Sequence, residues 1–201
     1  MKLKLTALSI CIVATAALAG PFSGDTSTLG EPTKLIPSGE SHLETLTIDD
    51  RTAVQVGNEG GGHMAYFRTE NPTFKKGLTP DLVVKVLYFD KGRAEVKLVY
   101  DSSDASVGSG GAWKAAGTIQ MMDSGEWKVQ TWMIHDAQMA GRCNDNDFRL
   151  QANAPFTVEG LYLRSALPID RKGLLKVGVD QAELPAGGML SQRRIVNWVP
   201  G

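Results

Sequence analysis

The side chains best able to do chemistry crowd into residues 125–152, "GEWKVQTWMIHDAQMAGRCNDNDFRLQA". His135 precedes Asp136 there, but neighbours in a strand point to opposite faces, so Asp136 could not easily orient His135 as a catalytic dyad. No histidine has the His-x-x-x-His or Glu-x-x-His spacing of a helical zinc site, and no Gly-x-Ser-x-Gly elbow or Walker-type loop occurs. We therefore predict that His135 is a strand-edge residue held by hydrogen bonds.

The oxygen-rich run "NDNDF", residues 144–148, could bind a structural calcium ion, because hard cations prefer several oxygen ligands. The run lacks the spacing of an EF-hand loop. Asn and Asp also favour turns, because their side chains bond to nearby backbone groups. Both interpretations stay open at this point, as does a pair of carboxylates for glycoside hydrolysis, which leaves no trace in the spacing of the sequence.

Trp113 stands where a glycine-rich loop, "SVGSGGA" at residues 106–112, gives way to an apolar alternation. An aromatic ring at such a junction can stack on the apolar face of a sugar. It can equally be a core tryptophan that covers the end of the fold. A second glycine run, residues 60–62, could let the backbone approach a ligand, although a long loop explains it more simply.

Period-two alternation dominates the chain from about residue 46, and helical periodicity is almost absent. The stretch 82–100 predicts a β-hairpin that turns at residues 90–93, with alternate apolar side chains on each strand facing inward. A second hairpin is predicted at 118–134 around a turn at 123–126. On its return strand we expect Trp127, Val129 and Met133 to be buried in the core. Many short strands of this kind predict an all-β, antiparallel β-sandwich of jelly-roll type.

The N-terminus predicts export. Lys2 and Lys4 precede a short apolar stretch, and a small-x-small site ends at Ala19, so residues 1–19 are expected to be a signal peptide. The mature protein should be secreted or periplasmic, with no membrane span. Loss of the two lysines leaves 19 basic and 22 acidic side chains, a net charge of −3, which does not favour nucleic acid as a partner. Cys143 becomes the only cysteine, and burial is its expected role.

The composition divides the rest of the chain into three parts. Residues 20–45 are rich in Gly, Pro, Ser and Thr, which is typical of a flexible arm or linker. Residues 46–165 should form the sandwich. Residues 166–201 are expected to be a C-terminal extension in which the stretch 174–179 could form one extra strand.

A set of matching positions resembles the galactose-binding-like jelly-roll domains attached to secreted bacterial polysaccharide-degrading enzymes. The matches run from "VKVLYFDKG" through "LVYDS" and "GEWK" to "DAQMAGRCNDNDFR", and the resemblance covers about residues 46–165. It implies a non-catalytic protein, not an enzyme, that binds carbohydrate, and in some members a structural calcium. We also expect Asp136 and Arg149 to form a buried or half-buried polar pair that fixes the loop between the two strands.

We therefore expect a secreted, non-catalytic carbohydrate-binding module whose partner is an extracellular or cell-wall polysaccharide. Trp113 would stack on the sugar, while Arg142, Asn144 and Asp145 would bond to its hydroxyl groups. The alternative is a structural or adhesion domain that binds an envelope protein through an exposed sheet edge. A small polysaccharide hydrolase or lyase is the third hypothesis.

Overall fold

The computed structural model describes residues 20–58 and 61–166, which form twelve β-strands and three short 3-10 helices. The predicted signal peptide at 1–19 and the possible extra strand at 174–179 lie outside the described residues. The 3-10 helices are Thr26–Thr28, Pro72–Phe74 and Gly108–Gly111. The strands are β1 (Gly20–Pro21), β2 (Glu31–Pro32), β3 (Lys34–Ile36), β4 (Leu43–Ile48), β5 (Arg51–Val56), β6 (Met64–Arg68), β7 (Leu82–Phe89), β8 (Glu95–Tyr100), β9 (Lys114–Gln120), β10 (Trp127–Ile134), β11 (Phe148–Ala152) and β12 (Phe156–Ser165).

The strands form two antiparallel sheets that pack as a sandwich. The first sheet has the order β1-β10-β7-β12-β5-β4, with β2 also paired to β12, and the second has the order β3-β6-β11-β8-β9. From β5 to β12 the chain passes repeatedly between the two sheets, so that β5-β12-β7-β10 face β6-β11-β8-β9. This winding of eight strands is that of a jelly roll. The predicted fold class is confirmed.

Both predicted hairpins are wrong, although their strands and turns lie where the sequence indicates. β7 pairs with β10 and β12 in the first sheet, whereas β8 pairs with β9 and β11 in the second. β9 and β10 are likewise in different sheets. A period-two pattern shows which face of a strand is apolar, and either sheet of a sandwich can bury that face. The turns at 90–94 and 121–126 therefore cross the sandwich, whose sheets lie about 10 Å apart.

The main core lies between the sheets and is built from alternate residues of the long strands. On β8 the predicted inward residues Val96, Leu98 and Tyr100 are buried, while Glu95 and Lys97 are exposed. Further core members are Val84 and Val86 on β7, Phe148 and Leu150 on β11, and Leu161 and Leu163 on β12. Each large apolar side chain buried in this way contributes about 1.5–3 kcal/mol.

The N-terminal segment is not a free arm or linker, because short strands tie it to both sheets. β1 pairs with β10, β2 with β12 and β3 with β6. Phe22 and Leu29 from this segment pack on the outward face of the first sheet against Leu87, Trp127 and Tyr162. Short polar strands carry little apolar periodicity, so composition alone made this paired segment resemble a linker.

This second layer also corrects the expected burial along β10. Trp127 is buried, but beneath the N-terminal segment, and Val129 packs there beside it. Met133 lies on the same side of β10, past the end of that cover, and is 60% exposed. The residues of β10 that face the main core are Trp132 and Ile134. Among the described residues, no helix has the length and apolar character needed to cross a bilayer.

Candidate functional site

The outward face of the second sheet brings together aromatic and polar side chains from distant parts of the chain. Tyr66 on β6 lies opposite Arg149 on β11. Their sequence neighbours Phe67 and Phe148 point into the core, so these two residues point away from it. Trp113 precedes β9 and lies over Arg149. We call Tyr66, Trp113 and Arg149 the platform.

The platform is held by stacking of a cation on aromatic rings. The guanidinium carbon of Arg149 lies 4.1 Å from the centroid of the Trp113 ring and 5.9 Å from that of Tyr66. The Tyr66 and Trp113 rings meet edge to face, with centroids 6.4 Å apart and an interplanar angle of 77°. A cation over an aromatic face is attracted by the ring quadrupole. Arg149 thus covers one face of the indole and leaves the half-buried Trp113 partly accessible.

Hydrogen bonds fix the Tyr66 hydroxyl at the base of the platform. It donates to the Glu40 carboxylate and accepts from the Asn144 side-chain amide at 3.2 Å. Burial beneath the surrounding side chains, together with the Glu40 carboxylate, raises the pKa of Tyr66 above its usual value. The hydroxyl therefore stays protonated and keeps its donor role at neutral pH.

Trp113 has a backbone conformation that an aromatic residue rarely adopts. Its φ is +69°, in the left-handed region, which costs on the order of 1–3 kcal/mol and persists only where the surroundings impose it. Gly111, two residues before Trp113, has a φ of +97°, and a Cβ there would overlap the carbonyl oxygen of Ser102. The preceding loop thus holds the indole in a strained position.

Arg142 is the residue that fixes this loop. Its Nε donates to a carboxylate oxygen of Asp101 at 2.8 Å, and its terminal nitrogens donate to the carbonyl oxygens of Gly110 and Ser102 at 2.6 and 2.5 Å. The Asp101 side chain is fully buried. The donors expected to meet sugar hydroxyls are therefore directed at the protein itself.

Asn144 and Asp145 form the tip of a two-residue turn. Both have positive φ, 54° and 60°, and the backbone groups of Cys143 and Asn146 bond to each other at 3.0 and 3.1 Å. This is the geometry of a type I′ turn, in which Asn and Asp are favoured because they tolerate the left-handed region. The turn brings Asn144 onto Tyr66, whereas Asp145 is exposed at its tip.

The two buried members of the Asn/Asp run, Asn146 and Asp147, form hydrogen bonds within the protein. Asp147 is buried, and one of its oxygens accepts from the Thr69 backbone N–H at 2.9 Å and from Lys75 Nζ at 2.7 Å. Asp147 thus forms an ion pair with the ammonium group of Lys75. The Asn146 amide is turned to the carbonyl oxygen of Asn144. Within 20–58 and 61–166, no three His, Cys, Asp or Glu residues are grouped as metal ligands would be.

The expected pair between Asp136 and Arg149 is wrong. Asp136 accepts hydrogen bonds from Tyr100 and from Lys114, both at 2.5 Å. Lys114 and Asp136 lie at one end of the sandwich, whereas Arg149 faces outward from the sheet and does not meet Asp136. Lys114 also lies 2.9 Å from Asp104, and this bond holds the pKa of Asp104 down to about 2. A general acid in glycoside hydrolysis needs the opposite shift.

His135 and Cys143 have structural surroundings. His135 Nδ1 lies 2.7 Å from Asp81, so Asp136 does not orient it, as strand geometry predicts. Cys143 is completely buried, and burial raises the pKa of its thiol to about 11, which keeps it protonated and unreactive at neutral pH.

Of the four predicted site residues, Trp113 and Asn144 thus both contact Tyr66. Arg142 is directed at the loop before Trp113, and Asp145 lies exposed at the tip of its turn. Sequence reasoning missed Tyr66 and gave Arg149 the wrong partner. The outward positions of β6 and β11 carried a signal, since a polar or aromatic residue alternates there with core residues. That signal becomes specific only when β6 and β11, about 80 residues apart, are known to pair.

No protein-family model matches this sequence, and no curated protein matches it. Two of the solved structures that are similar in fold carry carbohydrate-binding modules. The CBM22-1 and GH10 modules of the N-terminal Clostridium thermocellum endo-1,4-β-D-xylanase 10B, solved with xylohexaose, are 12% identical with a TM-score of 0.43, and the match covers 73% of this chain and 28% of that one. The carbohydrate-binding module CBM6cm-2 of Cellvibrio mixtus lichenase 5A, solved with cellotriose, is 11% identical with a TM-score of 0.37, and the match covers 68% of this chain and 93% of that one. At these values neither likeness bears on ligand or activity, and the strand pairing itself establishes the jelly roll.

Proposed function

We propose that this chain is an exported, non-catalytic carbohydrate-binding domain that holds a polysaccharide against the outward face of the second sheet. The observation that carries this proposal is the strained, half-buried Trp113. Backbone strain in folded proteins concentrates at functional sites. The strained backbone of Trp113 places its indole beside polar side chains on a sheet face and not in the core.

The shape of this face suits a chain of sugars better than a small compact ligand. Five strands lie side by side, and neighbouring strands are about 4.8 Å apart, so the face is about 19 Å wide. Sugar rings alternate apolar C–H faces with hydroxyl groups, and an aromatic ring flanked by amide and guanidinium donors matches both. The Arg149 guanidinium lies against the indole and donates to the Gln151 side chain, and the Asn144 amide donates to the Tyr66 hydroxyl.

Binding of this kind is weak, and we expect dissociation constants between about 1 μM and 1 mM, or about −8 to −4 kcal/mol. A glycan array followed by affinity electrophoresis of the purified protein would identify the polysaccharide. Trp113→Ala should weaken binding to it about 5- to 150-fold, because an aromatic contact contributes about 1–3 kcal/mol of stacking and burial.

Met133→Ala is the matched control, since it removes an exposed apolar side chain from the other sheet and should leave binding unchanged. Melting temperatures of both variants would show that they are folded. Unchanged affinity in Trp113→Ala, or no binding to any polysaccharide at millimolar concentrations, would reject the proposal.

A structural or adhesion role is the second candidate, and the edge strand β4 favours it. Leu43–Ile48 pairs with β5 in unbroken register over six residues and, within the described part of the chain, pairs with no other strand. It contains one charged residue, Glu44, and no proline or lysine to protect the edge. If this edge binds a partner protein by strand addition, Thr45→Pro should abolish capture of that partner and leave polysaccharide binding intact.

A further inference from the structure

Four cationic side chains lie on the outward face of the second sheet. Because Leu35, Phe67, Leu98 and Leu150 point to the core, the residues beside them in sequence point outward. The outward cations are Lys34, Arg68, Lys97 and Arg149, and the one exposed outward carboxylate on these strands is Glu95. The whole chain has a formal charge of −1, so this face differs in sign from the protein around it.

Three of these four cations have no carboxylate partner among the described residues. Lys34 lies 3.6 Å from Glu70, and both side chains are largely exposed. Within residues 20–58 and 61–166, no Asp or Glu oxygen lies within 4 Å of Arg68, Lys97 or Arg149. Close to the platform, the Glu40 carboxylate accepts a hydrogen bond from the Tyr66 hydroxyl and forms no ion pair with any described residue. Three of the four cations on this face therefore have no described carboxylate within ion-pair distance.

Arg149 and Arg142 provide an internal comparison. The guanidinium of Arg142 is paired with Asp101 and bonds to two backbone carbonyl oxygens. Arg149 is held instead by stacking on Trp113, with one bond to the Gln151 side chain and a long bond of 3.4 Å to the Tyr66 hydroxyl. Its Nε is buried and has no hydrogen-bond partner in the part of the chain that the structure describes. A guanidinium has five N–H donors, four of them on the terminal nitrogens, so two of those four remain for a ligand of Arg149.

We infer that the platform selects acidic polysaccharides, with the carboxylate of a uronic acid unit accepting hydrogen bonds from Arg149. This inference rests on the proposed function and names its ligand class. A carboxylate matches the planar donors of arginine and would supply the missing counter-charge. Arg68 lies two residues along β6 from Tyr66, about 7 Å away, and Lys97 lies one strand away from Gln151. They would meet further carboxylates along the same polymer.

Polygalacturonate and the same polymer with its carboxyl groups reduced to hydroxymethyl groups form a matched pair of probes. By isothermal titration calorimetry, the acidic form should bind about tenfold or more tightly at about 50 mM salt, because a charge-assisted hydrogen bond is stronger than a neutral one. The difference should shrink at about 500 mM salt, where exposed charges are screened. Arg149→Gln should bring the two affinities close together, Arg149→Lys should keep part of the preference, and the exposed control Arg93→Gln should change neither.

The outcomes separate this inference from the function beneath it. Equal binding of both polymers would overturn the inference and leave carbohydrate binding in place. Failure to bind either polymer or any neutral glycan would overturn both. Tighter binding of dextran sulfate or of single-stranded DNA than of polygalacturonate would also overturn the inference, because it would indicate a surface that attracts any polyanion.

Discussion

Replacement of Arg142 by alanine separates a ligand-contacting role from a structural one. The sequence suggested that Arg142 donates to sugar hydroxyls, whereas in the structure its guanidinium bonds to Asp101 and to two carbonyl oxygens of the loop before Trp113. The Asp101 side chain is fully buried, and 37% of the Arg142 side chain is exposed. We expect Arg142→Ala to lower stability first, and to weaken glycan binding only through displacement of that loop.

The size of the effect follows from what the substitution leaves behind. Removal of one partner from a buried ion pair costs about 3–5 kcal/mol. The cost is reduced here, because the backbone N–H groups of Ala140 and Arg142 still donate to Asp101, at 2.8 and 3.0 Å. The partial exposure of Arg142 lowers it further. We therefore expect a loss of about 2–4 kcal/mol in the free energy of unfolding, or about 4–16 °C in melting temperature for a domain of this size.

Urea denaturation followed by tryptophan fluorescence would measure this loss, with Arg93→Ala as a control that should stay within about 0.5 kcal/mol of the parent protein. A change below about 1 kcal/mol in Arg142→Ala would refute the structural role. Loss of glycan binding at full stability would show instead that Arg142 contacts the ligand.

Two further perturbations test the loops and the buried charges. Gly111→Ala should destabilise the protein by more than about 1–3 kcal/mol, because a φ of +97° is combined with overlap of the new Cβ and the Ser102 carbonyl oxygen. Gly92 has a φ of +84° but open space around it, so Gly92→Ala should cost less in the same denaturation assay. Equal costs for the two variants would contradict this explanation. The pKa of Asp104 is lowered to about 2 by its bonds to Lys114 and Ser106, and the pKa of Asp90 is lowered because hydrogen bonds from Lys128, Ser124 and Met122 outweigh its burial. A carboxyl whose pKa falls on folding stabilises the folded state above its unfolded pKa, near 4, and that contribution is lost as the pH falls toward about 2. The free energy of unfolding should therefore be lower at about pH 2.5 than at about pH 7. Equal free energies at the two pH values would exclude this contribution.

The local pattern of the sequence was sufficient for the strands but not for their partners. Alternation along 82–89 and 95–100 identified β7 and β8, and the inward residues of β8 are those the pattern indicates. The same alternation suggested hairpins that do not form. A strand pattern describes only the strand's own two faces, and in a jelly roll the chain passes to the opposite sheet after most turns. The pairing was decided by the packing of the two sheets as a whole.

The candidate site shows the same division. Trp113 and Asn144 were recognisable from local sequence, because a glycine-rich loop before an aromatic residue and an Asn/Asp run at a turn have local causes. The roles of Arg142 and Arg149 were decided only by tertiary structure. Arg142 reaches a buried carboxylate across a loop, and Arg149 reaches an indole across the sheet. The residue type is enough to show that each arginine carries a charge. Which of the two charges is neutralised depends on the fold, because a salt bridge requires short distances between segments that the order of residues does not specify.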